Sequence, residues 1–255
     1  MAGKTTLGTA ALTLLLGLGA QAAWTVGSSE TERATAPGVE HRHVVVANSG
    51  GDEATVEIAL FSPKTVNVRV VDNPNSDELA SVMRSLHGLA GVNGGYFDPQ
   101  NAPVGLLISE GKLIAPFRKA KLLSGVVVVT KSRVELLRSA EYSPRKNASA
   151  ALQCGPFLVD GGAAVPGLNN SRPARRTFFF TSGTDRAGLG FCSSVTLAEL
   201  GEILATPRLA GDVKIQRGLN FDGGSSSAFW FSGKDGAVSI GEQKTVRNFV
   251  VIAPK

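Results

Sequence analysis

The run HRHVVVANSGGDEATVEIALFSPKTVNVRVVD, residues 41–72, decides the fold class. In its segments 41–48, 54–61 and 65–72, apolar and polar side chains alternate with a period near two. That is the spacing of a strand with one buried face, not the 3.6 of a helix. Gly, Ser, Pro and Asn punctuate the segments, and these are the residues that turn a chain. Strands joined by short turns begin a sheet.

Helical periodicity appears clearly only twice. Asn75 is placed to cap a helix, with Glu78 three positions on, and Leu79, Val82, Met83 and Leu86 share one face before Gly88 ends it. Thr196 and Glu199 repeat the capping spacing ahead of an apolar stripe of Leu197, Leu200, Ile203 and Leu204. Elsewhere short strand-like runs recur, among them LSGVVVVT (123–130), RTFFFTS (176–182) and RNFVVIA (247–253). Because strands and helices do not alternate regularly, the expected architecture is α+β: a single domain with a mixed, largely antiparallel sheet and two main helices.

The 255 residues, 43% hydrophobic and only 18% charged, suffice for one substantial core. A formal charge of +5 would suit an anionic partner. The basic residues are scattered, however, and form no dense run, so no nucleic-acid partner is expected. Residues 1–22 have the shape of a secretory signal peptide, with Lys4, an apolar run from Ala10 to Leu18, and small Ala20 and Ala22 before the cleavage point. The apolar run is short and interrupted by glycine, so no stable membrane span is expected once it is removed. Residues 23–39 are polar and aperiodic and read as a flexible linker, which leaves 40–255 as the folded domain of a secreted or periplasmic protein. Export favours a disulfide between Cys154 and Cys192 over a metal site, the alternative being two buried thiols. The three histidines do not fall at zinc spacings, and neither a metal nor another cofactor is expected. His41 and His43 would share a strand face, which allows a metal, but two ligands without a carboxylate partner make a weak case for one.

Four polar stretches hemmed in by glycine carry the candidate chemistry. VNGGYFDP (92–99) offers Asn93, Gly94, Gly95, Tyr96 and Asp98. Amide and carboxylate groups can bind sugar hydroxyls, an aromatic face can cover the ring, and glycines let a ligand approach the backbone; the same stretch also reads as a plain Gly-Gly turn. QCGPFLVDGG (153–162) contributes Gln153 as a possible ligand contact, while Asp160 suits an ordinary turn. SRPARRTFFF (171–180) places Arg172, Arg175 and Arg176 before a strand, and guanidinium forks match phosphate oxygens. GLNFDGGSSSAFW (218–230) runs a strand into Asp222, Gly223 and Gly224, where a carboxylate would sit beside backbone N–H groups able to bind an anion. Asp222 is thus a turn residue or a catalyst. A serine nucleophile is excluded because the G-x-S-x-G elbow is missing.

The order of these motifs, NGGYF, QCGP, RRT, a TLAEL helix, LNFDGGSSS and a closing RNFVVI, resembles the phosphodiester glycosidase family over residues 90–252. The resemblance implies functional roles for Asn93, Gly94, Gly95, Phe97, Gln153, Gly155, Pro156, Arg176, Thr177, Asn220, Asp222, Gly223, Gly224, Ser226, Ser227, Arg247 and Asn248. Two departures stand out: Ser225 occupies a position where many relatives have a third glycine, and Phe178 to Phe180 replace smaller residues. The implied reaction is hydrolysis at the anomeric carbon of a sugar-1-phosphodiester, with a phosphorylated or anionic glycan as substrate. In that reading Arg176, helped by Arg247 and the Gly223 and Gly224 amides, would hold the phosphate. Asp222 would be nucleophile or base, and Asp98 the second carboxylate. The competing reading is a non-catalytic envelope protein that binds anionic glycans with the same loops.

Overall fold

The alternating runs do pair as strands, and they do so over long distances in the chain. The computed structural model describes residues 23–131, 133–144 and 147–255. Four long strands open it: β1 (Trp24–Arg33), β2 (Val39–Asn48), β3 (Glu53–Phe61) and β4 (Val66–Asp72). Helix α1 (Leu79–Ser85) precedes β5 (Ala90–Asn93), β6 (Leu107–Ser109), β7 (Lys112–Ala115), β8 (Gly125–Val129), β9 (Val134–Arg138) and β10 (Ala150–Cys154). There follow β11 (Phe157–Asp160), β12 (Ala163–Ala164), β13 (Ala174–Ser182), β14 (Ala187–Val195) and helix α2 (Leu197–Ala205). The last part contains β15 (Ile215–Asn220), a 3-10 turn at Gly224–Ser226, β16 (Phe229–Gly233), β17 (Gly236–Ile240) and β18 (Asn248–Pro254).

These strands form three sheets, an eight-stranded one in the order β1-β2-β3-β14-β13-β15-β11-β12 and two of five strands, β7-β6-β10-β8-β9 and β17-β16-β5-β18-β4. The architecture is α+β with two helices, as the periodicities require, and the pairings between these strands are antiparallel.

One central core joins the three sheets. Ala59, Phe61, Phe179 and Leu219 of the large sheet meet Val92, Phe231, Val250 and Ile252 of one small sheet and Leu107, Val127 and Leu152 of the other. The opposite face of the large sheet is covered by α2, whose Leu200, Ile203 and Leu204 pack on Val56, Ile58, Phe178 and Phe180. Strand β13 therefore feeds both cores by simple alternation. This explains the Phe178–Phe180 run: all three rings are fully buried. Their bulk is accommodated across the strand pair, where Phe178 faces Gly190 and Phe180 faces Gly188. A Cβ on Gly188 would lie 2.3 Å from Phe180 Cζ.

Several sequence expectations are corrected. The span 23–39 is not a flexible linker, because Trp24 to Arg33 pairs along the whole of β2, from Trp24 opposite Asn48 to Arg33 opposite Glu40. Its polarity is that of an edge strand with little to bury, Trp24 being its buried anchor. The expected signal peptide, 1–22, lies outside the described residues. Asn75 does not cap α1; the N-cap is Glu78, which makes no side-chain capping bond. The Leu79 N–H donates instead to Glu242 Oε1 at 2.8 Å, a cap from 163 residues away. Helix α2 does carry the expected capping box, with Glu199 N–H donating to Thr196 Oγ1 at 3.2 Å and Thr196 N–H to Glu199 Oε2 at 2.7 Å.

Cys154 and Cys192 form no disulfide; both are free and fully buried. They belong to different sheets and pack into different cores. Burial pushes each thiol up to about 12, so the inert-thiol alternative is the correct one. His41 and His43 do share a strand face, but the carboxylate partner not expected for them is Glu57, which lies between them and accepts from each at 2.7 Å through a different oxygen.

The fit of Phe180 over Gly188 makes a measurable prediction. Gly188→Ala overpacks the ring and should lower stability in urea unfolding by about 1–3 kcal/mol. Adding Phe180→Leu should recover part of the loss, giving a favourable coupling between the two changes.

Candidate active site

The candidate site forms where β5 of a small sheet meets β13 and β15 of the large one. Register sets Phe178 opposite Asn220, so that Asp222 emerges just past the strand end. Its backbone is held on both sides: its N–H donates to Gly94 O at 2.9 Å, and its carbonyl accepts from Asn93 Nδ2 at 2.8 Å. Asn93 is fully buried, and its Oδ1 accepts from Thr177 Oγ1 at 2.6 Å and from Ala228 N–H at 3.0 Å. One amide thus ties the NGG loop to the Arg-Thr strand, the Asp222 loop and the start of β16.

Gly94 and Gly95 are fixed by Asn248. Gly94 N–H donates to the Asn248 carbonyl at 2.9 Å, and Gly95 N–H to its Oδ1 at 2.7 Å. A Cβ on Gly94 would sit 2.0 Å from that Oδ1, so only glycine fits. Tyr96 donates its hydroxyl to Gly155 O at 2.5 Å, and Asn220 Nδ2 donates to the same carbonyl at 3.0 Å and to Tyr96 Oη at 3.3 Å. Burial raises the Tyr96 phenol, with the nearby Cys154 and Asp222 adding to the effect.

Three features of the Asp222 loop matter chemically. The carboxyl of Asp222 is shifted upward by burial, an effect opposed by the Ser226 hydroxyl, Lys244 and the Gly223 amide. Its Oδ1 accepts from Gly223 N–H at 3.0 Å, which occupies that amide, whereas Gly224 N–H, the other amide expected to bind an anion, meets no acceptor among the described residues. Gly224 takes φ +64 with open space around its Cβ position, whereas Ser225 has no such backbone demand. A side chain at position 225 is therefore compatible with this turn, whose Ser225 carbonyl accepts from Gln243 N–H at 2.7 Å.

Arg176 is the cation of the site and is 9% exposed. Nε donates to Val195 O at 2.9 Å and Nη2 to Arg172 O at 2.6 Å. Nη1 points past Gly223, 3.6 Å from where a Cβ would be. No carboxylate pairs with it among the described residues, and burial holds its pKa below the usual arginine value. Glu199 acts on it electrostatically from beyond ion-pair contact, and a buried guanidinium hydrogen-bonded only to carbonyls beside the Asp222 loop keeps charge that suits an anion.

Other predicted residues are committed elsewhere. Arg247 forks onto both oxygens of Asp72, with Nη2 to Oδ2 at 3.2 Å, so its charge is neutralised within the fold. Gln153 is a structural clamp and not a ligand contact. Its Oε1 accepts from Leu106 and Arg118 N–H, both at 3.0 Å, and its Nε2 donates to Arg118 O at 2.7 Å and Leu123 O at 3.2 Å. Every hydrogen-bonding position of that amide is used. Asp98 spends Oδ1 on its own turn, accepting from Gln100 N–H at 3.0 Å and Ala102 N–H at 2.8 Å. Arg175 bonds the carbonyls of Ser227 and Gly241 and lies 5.2 Å over the Phe191 ring.

Lys244 was not legible in the sequence. It is exposed, lies 5.2 Å over the Phe97 ring, and helps to hold Asp222 ionised. The segment after β17 brings it there, tied to the Asp222 loop by Gln243 N–H donating to Ser225 O at 2.7 Å.

A family model described as phosphodiester glycosidase matches residues 87–253. Among solved structures, the fold is similar to the catalytic domain of zebrafish N-acetylglucosamine-1-phosphodiester alpha-N-acetylglucosaminidase, auto-inhibited by its pro-peptide. That match has a TM-score of 0.66 at 14% identity and covers 91% of this chain and 89% of that one. A hypothetical protein from Synechocystis matches with a TM-score of 0.64 at 14% identity, covering 89% of this chain and 64% of that one. A protein of Burkholderia pseudomallei K96243 described as exported matches with a TM-score of 0.56 at 12% identity over 79% and 74% of the two chains. No curated protein matches the sequence.

The buried carboxyl predicts a stability effect whose sign is fixed. A folded-state value above the ordinary 3.8 means that ionising Asp222 costs the native state more than the unfolded chain. The stability tied to this group is therefore full below 3.8 and is lost as pH rises through the folded value. Asp222→Asn should raise the denaturation midpoint at pH about 7 and lose that advantage at pH about 3, measured by urea unfolding at both.

Proposed function

The chain belongs to the phosphodiester glycosidase family, and we propose that it hydrolyses the bond between the anomeric carbon of a sugar and a phosphodiester oxygen. The C1–O bond breaks, water supplies the hydroxyl at C1, and the phosphate departs with the bonding electrons. A phosphate is already a weak base, so the reaction depends little on a general acid. Its needs are a fixed positive charge at the phosphate and a carboxylate at the sugar carbon.

The observation that carries this reading is Arg176: a buried guanidinium with no carboxylate in ion-pair contact among the described residues, its Nη1 beside Gly223 of the Asp222 loop. It would hold the phosphate with the Gly224 N–H, and Lys244 would add charge at the rim. Asp222 would face C1 as nucleophile, or as base for the attacking water; the first retains and the second inverts the anomeric configuration. Tyr96 and Asn220 support the wall beneath, and Asn93 and Thr177 set the backbone. We also infer that residues 1–22 direct export and that the enzyme works outside the cytoplasm. The apolar run of that segment and the exported relative both support this.

The test is turnover of a panel of sugar-1-phosphodiesters by the full chain. Asp222→Asn should cut kcat by at least about a thousandfold, and Arg176→Gln should cut kcat/KM by about a hundredfold or more. Since the ionised carboxylate reacts and its value is raised, the acid limb of kcat/KM should lie above the ordinary 3.8. Undiminished turnover in Asp222→Asn sinks the catalytic role, and saturable binding without turnover in the parent makes the protein a glycan-binding one.

A further inference from the structure

All three large hydrophobic side chains that are strongly exposed among the described residues come from one short segment: Leu113 (63%), Ile114 (38%) and Leu122 (54%). The segment, KLIAPFRKAKLL at 112–123, comprises edge strand β7 and the loop after it. It also holds Lys112, Arg118, Lys119 and Lys121 and no carboxylate. These four cations are exposed and pair with no acidic residue among those described.

The segment is held firmly from below, so its exposure is a property of the fold. Phe117 stacks on Tyr142 at 5.2 Å between ring centroids, Ala115 and Leu123 are buried, and Gln153 grips the backbone at Arg118 and Leu123. The loop also presses on Gly155, where a Cβ would meet Leu122 O at 2.1 Å. The carbonyl of that same Gly155 accepts the Tyr96 hydroxyl. The patch therefore borders the candidate active site through residues 153–155.

We propose that residues 112–122 dock the protein on the surface of an anionic lipid bilayer. Aliphatic side chains interleaved with lysines fit that partner, because the leucines enter the boundary of the acyl region while the ammonium groups stay among anionic headgroups. A soluble polyanion would engage the cations but offer nothing to Leu113, Ile114 and Leu122. A protein partner would be expected to bring carboxylates to a surface that pays to desolvate four cations. The net charge of +5 draws the whole chain toward the same surface. This docking does not depend on the reaction proposed above.

The experiment uses the full chain with Leu122→Cys carrying an environment-sensitive fluorophore, the two native thiols being buried. Vesicles of phosphatidylglycerol mixed with phosphatidylcholine should shift its emission to the blue, and phosphatidylcholine vesicles should not. Lys119→Glu with Lys121→Glu should weaken the apparent vesicle affinity on the order of a hundredfold, with an unchanged melting curve showing that the fold survives. Absence of a blue shift on anionic vesicles overturns the proposal, even where the chain sediments with them through another segment. A shift that grows with protein concentration and needs no lipid also overturns it and assigns the patch to self-association.

Discussion

The buried amide of Asn93 is the constraint around which the site is built. It sits at the end of a strand of one sheet, bonds the hydroxyl of Thr177 in another, and holds the Asp222 loop 129 residues away. Solvent does not reach it, so water cannot replace a lost partner, and each broken bond would leave a buried polar group at a cost of about 1–3 kcal/mol. The Asp222 main chain is consequently fixed from both sides, by Asn93 and by Gly94. Its side chain, in contrast, takes a backbone hydrogen bond only from the neighbouring Gly223 amide among the described residues and remains half-buried. The backbone has been used up so that the carboxylate can be spared.

Around this knot the protein tolerates groups that a purely structural core would avoid. Arg176 keeps a charge with no carboxylate in ion-pair contact among the described residues, and Asp222 keeps a carboxyl that burial would rather see neutral. Asn220 Oδ1 and Ser227 Oγ are buried without hydrogen-bond partners among the described residues. Unsatisfied polar atoms are rare in a well-packed interior, and these two lie by the Asp222 loop, while Arg42 and Arg186 leave a buried Nε unpaired away from it. The neighbouring polar residues show the opposite economy, since Gln153 uses all of its bonding positions and Arg247 is neutralised by Asp72.

What could be read from the chain was local. The alternation in 41–72 gave strands because every second side chain must meet the core. The Thr196 and Glu199 box gave the start of α2 because both of its bonds close within one turn. The α1 cap was misjudged, since the acceptor for Leu79 N–H is Glu242, which no local pattern identifies. Residues 24–33 look like a linker for a related reason: an edge strand with a solvated face has the composition of a loop, and only pairing with β2 distinguishes the two. The Cys154–Cys192 pairing failed because an oxidising compartment permits a disulfide without bringing two thiols onto facing surfaces.

The sequence alone determined the class of the fold and the chemical vocabulary of the site: an aspartate at a strand end, glycines beside it and an arginine-threonine strand. It also carried the family's order of motifs. Tertiary structure decided which of those polar groups hold the molecule together and which remain available. Asn93, Gln153, Arg247 and Asn248 are spent on the scaffold, whereas Arg176 and Asp222 are left over, and Lys244 is recruited from an unmarked turn. The physical reason is that hydrogen bonds and ion pairs saturate. Whether a side chain is free depends on partners that lie far along the chain, and only folding brings them into contact.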